Sequence, residues 1–219
     1  MYKRQDLLAH VMPDYPVGAK RFILDNGIWA DTLKRDDVDL VTDAITAIDE
    51  HGVVTEAGRH DVDVLVYGTG FSASAFLAPM TVIGRDGADL REGWGDDARA
   101  YYGMNVPGFP NFFCLYGPNT NIVVNGSIIF FSECAVRYIT EAIGQLRHDG
   151  LVAMDVRPEV HAAQVEKVDE ANGRMAWGLS SVNSWYKSPS GRIAQNWPFP
   201  LVAYWRGTRE PVRADYERW

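Results

Sequence analysis

The chain has 219 residues, of which 47% are hydrophobic and 12% aromatic, enough to bury the core of one large or two small domains. Its 29 Asp and Glu against 21 Lys and Arg give a formal charge of −8, which argues against nucleic acid as a partner. No stretch approaches the roughly 20 apolar residues that span a bilayer, so we expect no membrane association.

The two cysteines and the N-terminal residues bear on cellular location. Cys114 and Cys134 have neither metal-ligand spacing nor a disulfide framework, so we expect buried free thiols in a reducing compartment. Residues 1–15 begin with basic side chains but contain no apolar core of a signal peptide. These features predict a cytoplasmic protein.

The first third of the chain predicts short strands. Turn residues separate three of them, at residues 38–41, 44–48 and 53–55, which together form a β-meander. The apolar residues 62–67 then predict a strand buried on both faces, as in the centre of a parallel sheet.

The middle of the chain is rich in Gly, Asp and Pro. Residues 71–110 predict mostly loops, with a short helix near residues 92–97. Residues 111–116 (NFFCLY) predict another buried strand, which Gly117 and Pro118 end.

Two helices follow. Apolar residues recur at helical spacing over residues 127–148, with Ser127 as the expected N-cap and Gly150 beyond the end. A second helix is expected from Pro158 to about Met175. We expect the aromatic and Pro-rich residues 182–205 to wrap over the surface formed by the rest.

The glycines after the apolar run 62–67 suggest a nucleotide site. Residues 68–73 (GTGFSA) match G-x-G-x-x-A, a turn that brings backbone amides close to a pyrophosphate. However, Pro79, Gly84 and Gly87 interrupt the amphipathic helix that should follow in a first Rossmann turn. A purely structural turn therefore remains an alternative.

Read with its preceding aspartates, the stretch DVDVLVYGTGF resembles the Ala-Thr-Gly-Phe motif that joins the two nucleotide-binding domains of class B flavin monooxygenases. Gly68 replaces the usual alanine, which is sterically permissive. The resemblance implies that Gly68, Thr69 and Gly70 bind a cofactor.

Residues 13–21 (PDYPVGAKR) resemble a segment of Baeyer–Villiger monooxygenases of the 4-hydroxyacetophenone type. The resemblance assigns to Arg21 the catalytic role of the family's arginine, and to Lys20 a contact with the nicotinamide cofactor. A permanently charged guanidinium suits this role because it stabilises the negative oxygen of such a reaction. The alternative is a solvated surface pair.

Residues 117–121 (GPNTN) and 125–129 (NGSII) resemble the flavin-site segment of the same family. The resemblance places Asn119, Gly126, Ser127 and Ile128 at the flavin, where a helix N-terminus stabilises the negative charge of the reduced ring. An ordinary capped helix is the alternative.

Residues 182–192 (VNSWYKSPSGR) resemble the Ser-Trp-Tyr segment of the family, whose tryptophan lies over the nicotinamide cofactor. Trp185 would have that role, since an indole offers a flat face and one N–H donor. Packing of Trp185 in the core is the alternative.

The resemblance extends over nearly the whole chain and implies an α/β fold, an incomplete remnant of a flavoprotein with two dinucleotide-binding domains and a helical C-terminal part. Residues 1–70 would end the NADP-binding domain, and residues 71–219 would form the C-terminal part of the FAD-binding domain. The fingerprints for FAD and NADP would lie on polypeptide upstream of this chain, so we expect a missing N-terminal half as partner, or self-association.

The implied activity is oxygen insertion into a ketone with NADPH, FAD and O2. One alternative is a heteroatom (nitrogen or sulfur) monooxygenase of the same superfamily. The other is a catalytically silent binding or assembly module. The 5 histidines show no metal-site or catalytic-triad pattern.

Overall fold

A computed structural model describes residues 7–123 and 126–219, so Asn125 of the flavin-site resemblance lies outside the described residues. The chain divides into two compact units. The first contains the residues up to Asp14 together with Ile23–Phe71, and the second contains Tyr15–Phe22 together with Ser72–Trp219. The assignment of residues 1–70 and 71–219 to cofactor domains stays a prediction.

Among its described residues, the first unit contains two short α-helices and an antiparallel three-stranded sheet in the order β1-β2-β3. Its elements are α1 (Leu8–Val11), α2 (Ile28–Thr32), β1 (Ile45–Asp49), β2 (Gly52–Thr55) and β3 (Arg59–Asp61).

The turn between β1 and β2 depends on two residues. The Asp49 carboxylate accepts hydrogen bonds from the backbone N–H of His51 at 2.8 Å and of Gly52 at 3.2 Å. A Cβ at Gly52, where φ is +155°, would lie 2.1 Å from the carbonyl oxygen of His60. Glycine is therefore required for β2 to pair with β3.

The predicted strands of this unit are partly confirmed. Strands at 44–48 and 53–55 correspond to β1 and β2, but residues 38–41 form no strand and the third strand is β3. The buried strand at 62–67 is wrong, because these residues form no strand and Val64 and Val66 are 75% and 83% exposed. An extended segment becomes a strand only where a neighbouring strand pairs with it. Within residues 7–123 and 126–219, both sheets are antiparallel and neither contains residues 62–67 as a strand.

Within the described part of the chain, the second unit contains four α-helices and a two-stranded antiparallel sheet. Its elements are α3 (Leu90–Trp94), α4 (Ile128–Asp149), β4 (Met154–Val156), α5 (Pro158–Gly173), α6 (Leu201–Gly207) and β5 (Tyr216–Arg218).

Helix α4 is the long central element of this unit, and both of its predicted ends are confirmed. The Ser127 hydroxyl accepts a hydrogen bond from the backbone N–H of Ile129 at 3.1 Å, and Gly150 ends the helix in the left-handed conformation. One face of α4 is buried, namely Phe131, Cys134, Ala135, Tyr138 and Ala142.

The main core of the second unit lies where α4 packs against β4 and β5. Met154 and Val156 of β4 and Tyr216 of β5 contact this face of the helix. The hydroxyl groups of Tyr138 and Tyr216 lie 2.6 Å apart in the same core and share a hydrogen bond. This aromatic packing fixes the C-terminal strand of the chain against the long helix.

Other predictions for the second unit have mixed outcomes. The predicted helices near 92–97 and from Pro158 correspond to α3 and α5, while α6 replaces part of the expected irregular wrap. The predicted strand at 111–116 is wrong, because Asn111 and Tyr116 have positive φ angles of 58° and 53°, which interrupt an extended chain. Cys114 and Cys134 are buried and free, as expected.

Across residues 7–123 and 126–219, no helix combines the length and apolarity needed to cross a bilayer. Within the same ranges, no group of three or more His, Cys, Asp or Glu side chains could hold a metal ion.

Candidate functional site

The loop at residues 117–121 is tightly packed in the second unit. A Cβ at Gly117 would lie 2.2 Å from the carbonyl oxygen of Gly103, so the two backbones are in direct contact. The Thr120 hydroxyl donates to the carbonyl of Gly117 at 2.7 Å and closes the loop on itself. The close contact at Gly117 and the Thr120 hydrogen bond therefore fix the conformation of the loop.

Asn119 anchors this loop with its side chain. Its amide nitrogen donates to the carbonyls of Ile193 at 2.8 Å and Asn196 at 3.2 Å, and its amide oxygen accepts from Arg192 at 3.0 Å. These bonds hold the backbone of Asn119 in a left-handed conformation. The backbone N–H of Asn119 donates to the carbonyl of Ala194 at 2.9 Å, so only the backbone carbonyl of Asn119 is left to contact a cofactor.

A second amide network extends the loop toward Tyr116. The amide nitrogen of Asn121 donates to the Asn196 side-chain oxygen at 2.9 Å, and the Tyr116 hydroxyl donates to the Asn121 side-chain oxygen at 3.0 Å. Asn196 is fully buried, and its amide nitrogen has no partner within the described ranges. A buried donor without an acceptor is costly and is frequent where a ligand or water completes the site.

Arg21 belongs to the second unit, and its charge acts on Tyr116 of this network and on Tyr186. Burial raises the pKa of the hydroxyls of Tyr116 and Tyr186, and the nearby positive charge of Arg21 opposes both shifts. Arg21 itself is exposed, and no carboxylate in the described part of the chain pairs with it. An accessible, unpaired guanidinium thus lies near two phenol hydroxyls.

Lys20, the neighbour of Arg21, is half-buried. Its ammonium group lies 4.3 Å from the centre of the Tyr15 ring, a cation–π contact that positions the charge. Ala19 between them is fully buried and fixes the segment to the second unit.

Trp185 lies on Tyr186, with ring centres 4.5 Å apart. The indole is 42% exposed, whereas Tyr186 is fully buried and its hydroxyl has no hydrogen-bond partner among the described residues. Trp185 therefore presents a free face, and it is not a core residue.

The turn after Trp185 is held by Asp97. Hydroxyls of Ser188 and Ser190 donate to the same Asp97 oxygen at 2.5 and 2.6 Å. Burial raises the pKa of Asp97, but these hydrogen bonds and the nearby Arg99 and Arg192 charges outweigh burial and lower it overall. The carboxylate therefore stays ionised and keeps the turn in place.

The N-terminus of α4 is also exposed in the second unit. Gly126, Ser127 and Ile128 are all accessible. A Cβ at Gly126, where φ is +133°, would lie 2.4 Å from a methyl carbon of Leu201, so glycine is needed at this helix start.

The predicted cofactor residues Gly68, Thr69 and Gly70 belong to the first unit and are exposed. A Cβ at Gly68 would meet no heavy atom within 4 Å, so alanine would also fit there. Gly70 has a φ of +82°, a conformation that favours glycine.

Known proteins resemble this chain over almost its whole length, although no family model matches it. It is 36% identical over 217 residues to the FAD-binding monooxygenase ktnD of Aspergillus niger, covering 97% of this chain. It is 33% identical over 198 residues to a Baeyer–Villiger monooxygenase of Pseudomonas aeruginosa, covering 90% of this chain. The solved structure of oxidized steroid monooxygenase bound to NADP matches with a TM-score of 0.81 and 31% identity, over 93% of this chain and 39% of that one.

The chain is a relative of the Baeyer–Villiger monooxygenases. It spans 35% of the Aspergillus niger relative and 37% of the Pseudomonas aeruginosa relative. The expected resemblance is confirmed, and so is the α/β fold class at the level of these flavin monooxygenases. Derivation from two dinucleotide-binding domains stays a prediction.

Several residues that shape this candidate site were not predicted from the sequence. Asp97, Arg192 and Asn196 hold the loop and the turn, and Tyr186 lies near Arg21. Arg192 and Tyr186 lie within residues 182–192, the segment that contains Trp185, so that segment could have indicated them. Asp97 lies 91 residues before Ser188, and no local pattern indicates that pairing.

Proposed function

We propose that the chain is part of a flavin-dependent monooxygenase that uses NADPH and O2 to insert oxygen into a ketone. The observation that carries this proposal is the accessible guanidinium of Arg21, which lies near Tyr116 and Tyr186 and pairs with no carboxylate among the described residues. The similarity to proteins named Baeyer–Villiger monooxygenase supports it.

Arg21 acts as the electrostatic catalyst. Oxygen insertion into a ketone places negative charge on the former carbonyl oxygen, and a fixed cation next to that oxygen lowers the barrier. An arginine remains charged at any working pH, so the stabilisation needs no proton transfer.

The residues of the second unit fit the two cofactors. Lys20 and the free face of Trp185 would hold NADP, while the backbone at Asn119 and the exposed start of α4, including Gly126, Ser127 and Ile128, would face FAD. The orphaned amide nitrogen of Asn196 and hydroxyl of Tyr186 are polar atoms that a bound group or water would satisfy. When bound, the nicotinamide supplies the hydride and the flavin activates O2.

The glycine turn at Gly68, Thr69 and Gly70 would bind the cofactors from the first unit, and the pyrophosphate fingerprints would come from a partner polypeptide. A missing N-terminal half or a second copy would cover exposed apolar residues such as Leu24 and Phe71, each 99% exposed. The small-molecule partners are a ketone and O2. The two free, buried cysteines support a cytoplasmic location.

Complementation tests the proposal. The chain is co-produced with the portion of the Pseudomonas aeruginosa relative that it does not match, and the purified complex receives NADPH and 4-hydroxyacetophenone. We expect FAD to remain bound after desalting and the ester to form. Oxidation of a thioether without ketone turnover would favour the heteroatom monooxygenase, and absence of both FAD and turnover would favour a silent module.

A further inference from the structure

An aromatic path leads from the 117–121 loop into the core of the second unit. The backbone N–H of Trp197 donates to the carbonyl of Asn121 at 2.9 Å, so the backbone of Trp197 is bonded to the loop. Its ring centre lies 6.2 Å from that of Tyr102, and the Tyr102 ring lies 4.8 Å from that of Tyr101. Rings at such spacing pass electrons readily, because each step crosses only a short gap between oxidisable groups.

The path ends at a phenol bonded to a carboxylate. The Tyr101 hydroxyl donates to an Asp215 oxygen at 2.8 Å. Tyr101 is 7% exposed, and the pair lines a surface groove of about 440 Å³ together with Val160 and Lys167. Small solutes in solvent therefore come close to the pair.

This carboxylate distinguishes Tyr101 from the neighbouring tyrosines. Tyr138 and Tyr216 share a hydrogen bond with each other, and Tyr216 also donates to the Asn105 amide oxygen at 3.0 Å. Tyr204 donates to the carbonyl of Tyr102. Amide oxygens are poor proton acceptors, whereas a carboxylate accepts the proton that an oxidised phenol releases.

We propose that Tyr101 and Asp215 form a redox-active pair that is oxidised through Tyr102 and Trp197. A one-electron oxidant such as a ruthenium(III) complex is reduced to ruthenium(II) by an electron from the Trp197 indole, and an electron from Tyr101 then passes through Tyr102 to the oxidised indole. The Tyr101 proton moves along the hydrogen bond to Asp215, which leaves a neutral phenoxyl radical and a carboxylic acid. A soluble one-electron donor such as ascorbate then reduces the radical at the groove, and the proton returns.

The experiment uses the full chain and an external oxidant, so it does not depend on bound cofactors or on the proposed function. Photogenerated tris(bipyridine)ruthenium(III) is reduced to ruthenium(II) as it removes one electron from the protein. Samples frozen after the flash are examined by electron paramagnetic resonance. We expect a long-lived tyrosyl radical in the unmodified chain, and its decay on addition of ascorbate.

The variants decide the assignment. Tyr101→Phe should lose the long-lived signal, Asp215→Asn should lose most of it, and Trp197→Phe should slow its formation. The control Tyr67→Phe removes an exposed phenol and should leave the signal unchanged. Asp215→Asn preserves shape, and near-ultraviolet circular dichroism checks the fold of each variant. A full signal in folded Tyr101→Phe or folded Asp215→Asn, or its loss in Tyr67→Phe, would overturn the proposal.

Discussion

At the scale of single residues, His161 gives the chain a specific sensitivity to acid. Burial lowers its pKa from the ordinary value of 6.5, the nearby charges of Arg99 and Arg192 lower it further, and a bond to the Arg99 carbonyl only partly opposes this. Its Nε2 is buried without a partner among the described residues. The folded chain therefore favours the neutral imidazole.

The sign of the pH dependence follows from this depressed pKa. Between 6.5 and the lower folded value, the unfolded chain binds more protons, so the free energy of unfolding falls as pH decreases through that window. We predict that His161→Gln flattens this part of the profile, measured by urea denaturation at several pH values. The exposed His148→Gln should keep the parental slope, and an unchanged slope in His161→Gln would count against the assignment.

Gly117 is a second residue whose substitution should change the free energy of unfolding. A Cβ there meets the Gly103 carbonyl at 2.2 Å and the Cys114 sulfur at 3.0 Å, so Gly117→Ala should lower the free energy of unfolding by roughly 1–3 kcal/mol. Gly144 in α4 has no atom within 4 Å of such a Cβ, and Gly144→Ala should stabilise by roughly 0.5–1 kcal/mol. Denaturant titration of both variants checks this difference in sign, and equal effects would contradict the observed packing of the loop.

At the scale of elements, the N-cap of α4 is the clearest local determinant. Ser127→Ala removes the acceptor for the Ile129 N–H and should cost about 1 kcal/mol of unfolding free energy. Ser132→Ala, inside the same helix, should change the stability by less than about 0.5 kcal/mol, since alanine is the better helix former. Urea titration followed by circular dichroism measures both, and a neutral Ser127→Ala would show that the cap does not stabilise the helix.

The helices α4 and α5 were predictable from the sequence because their signals are local, whereas α1, α2 and α6 were not predicted. Ser127, Gly150 and Pro158 indicate the helix boundaries without reference to the rest of the chain. The strands predicted at 62–67 and 111–116 are absent. An apolar run becomes a strand only if it finds a pairing partner, and the local sequence does not show whether a partner exists. The candidate site shows the same division: its motifs were recognisable, but the contacts of Asp97 and Arg192 join residues far apart in sequence.

At the scale of the whole molecule, exposed apolar side chains predict association. Ile23, Leu24, Val66 and Phe71 in the first unit are between 83% and 99% exposed. Exposed apolar surface of this kind favours binding to a partner or aggregation in water. We therefore predict that the chain alone elutes from size-exclusion chromatography as an oligomer or aggregate, and that it co-elutes with the complementary portion of a relative when the two are co-produced. A clean, stable monomer would contradict this.

Ester formation by the complemented enzyme with Arg21→Ala tests the proposed role of the Arg21 guanidinium. We predict that NADPH still reduces the bound flavin while ester formation from the ketone is abolished, because the cation that stabilises the negative oxygen is gone. Arg206→Ala, at an exposed arginine of α6, should keep the parental ester yield. An unchanged ester yield in Arg21→Ala would contradict a catalytic role for Arg21.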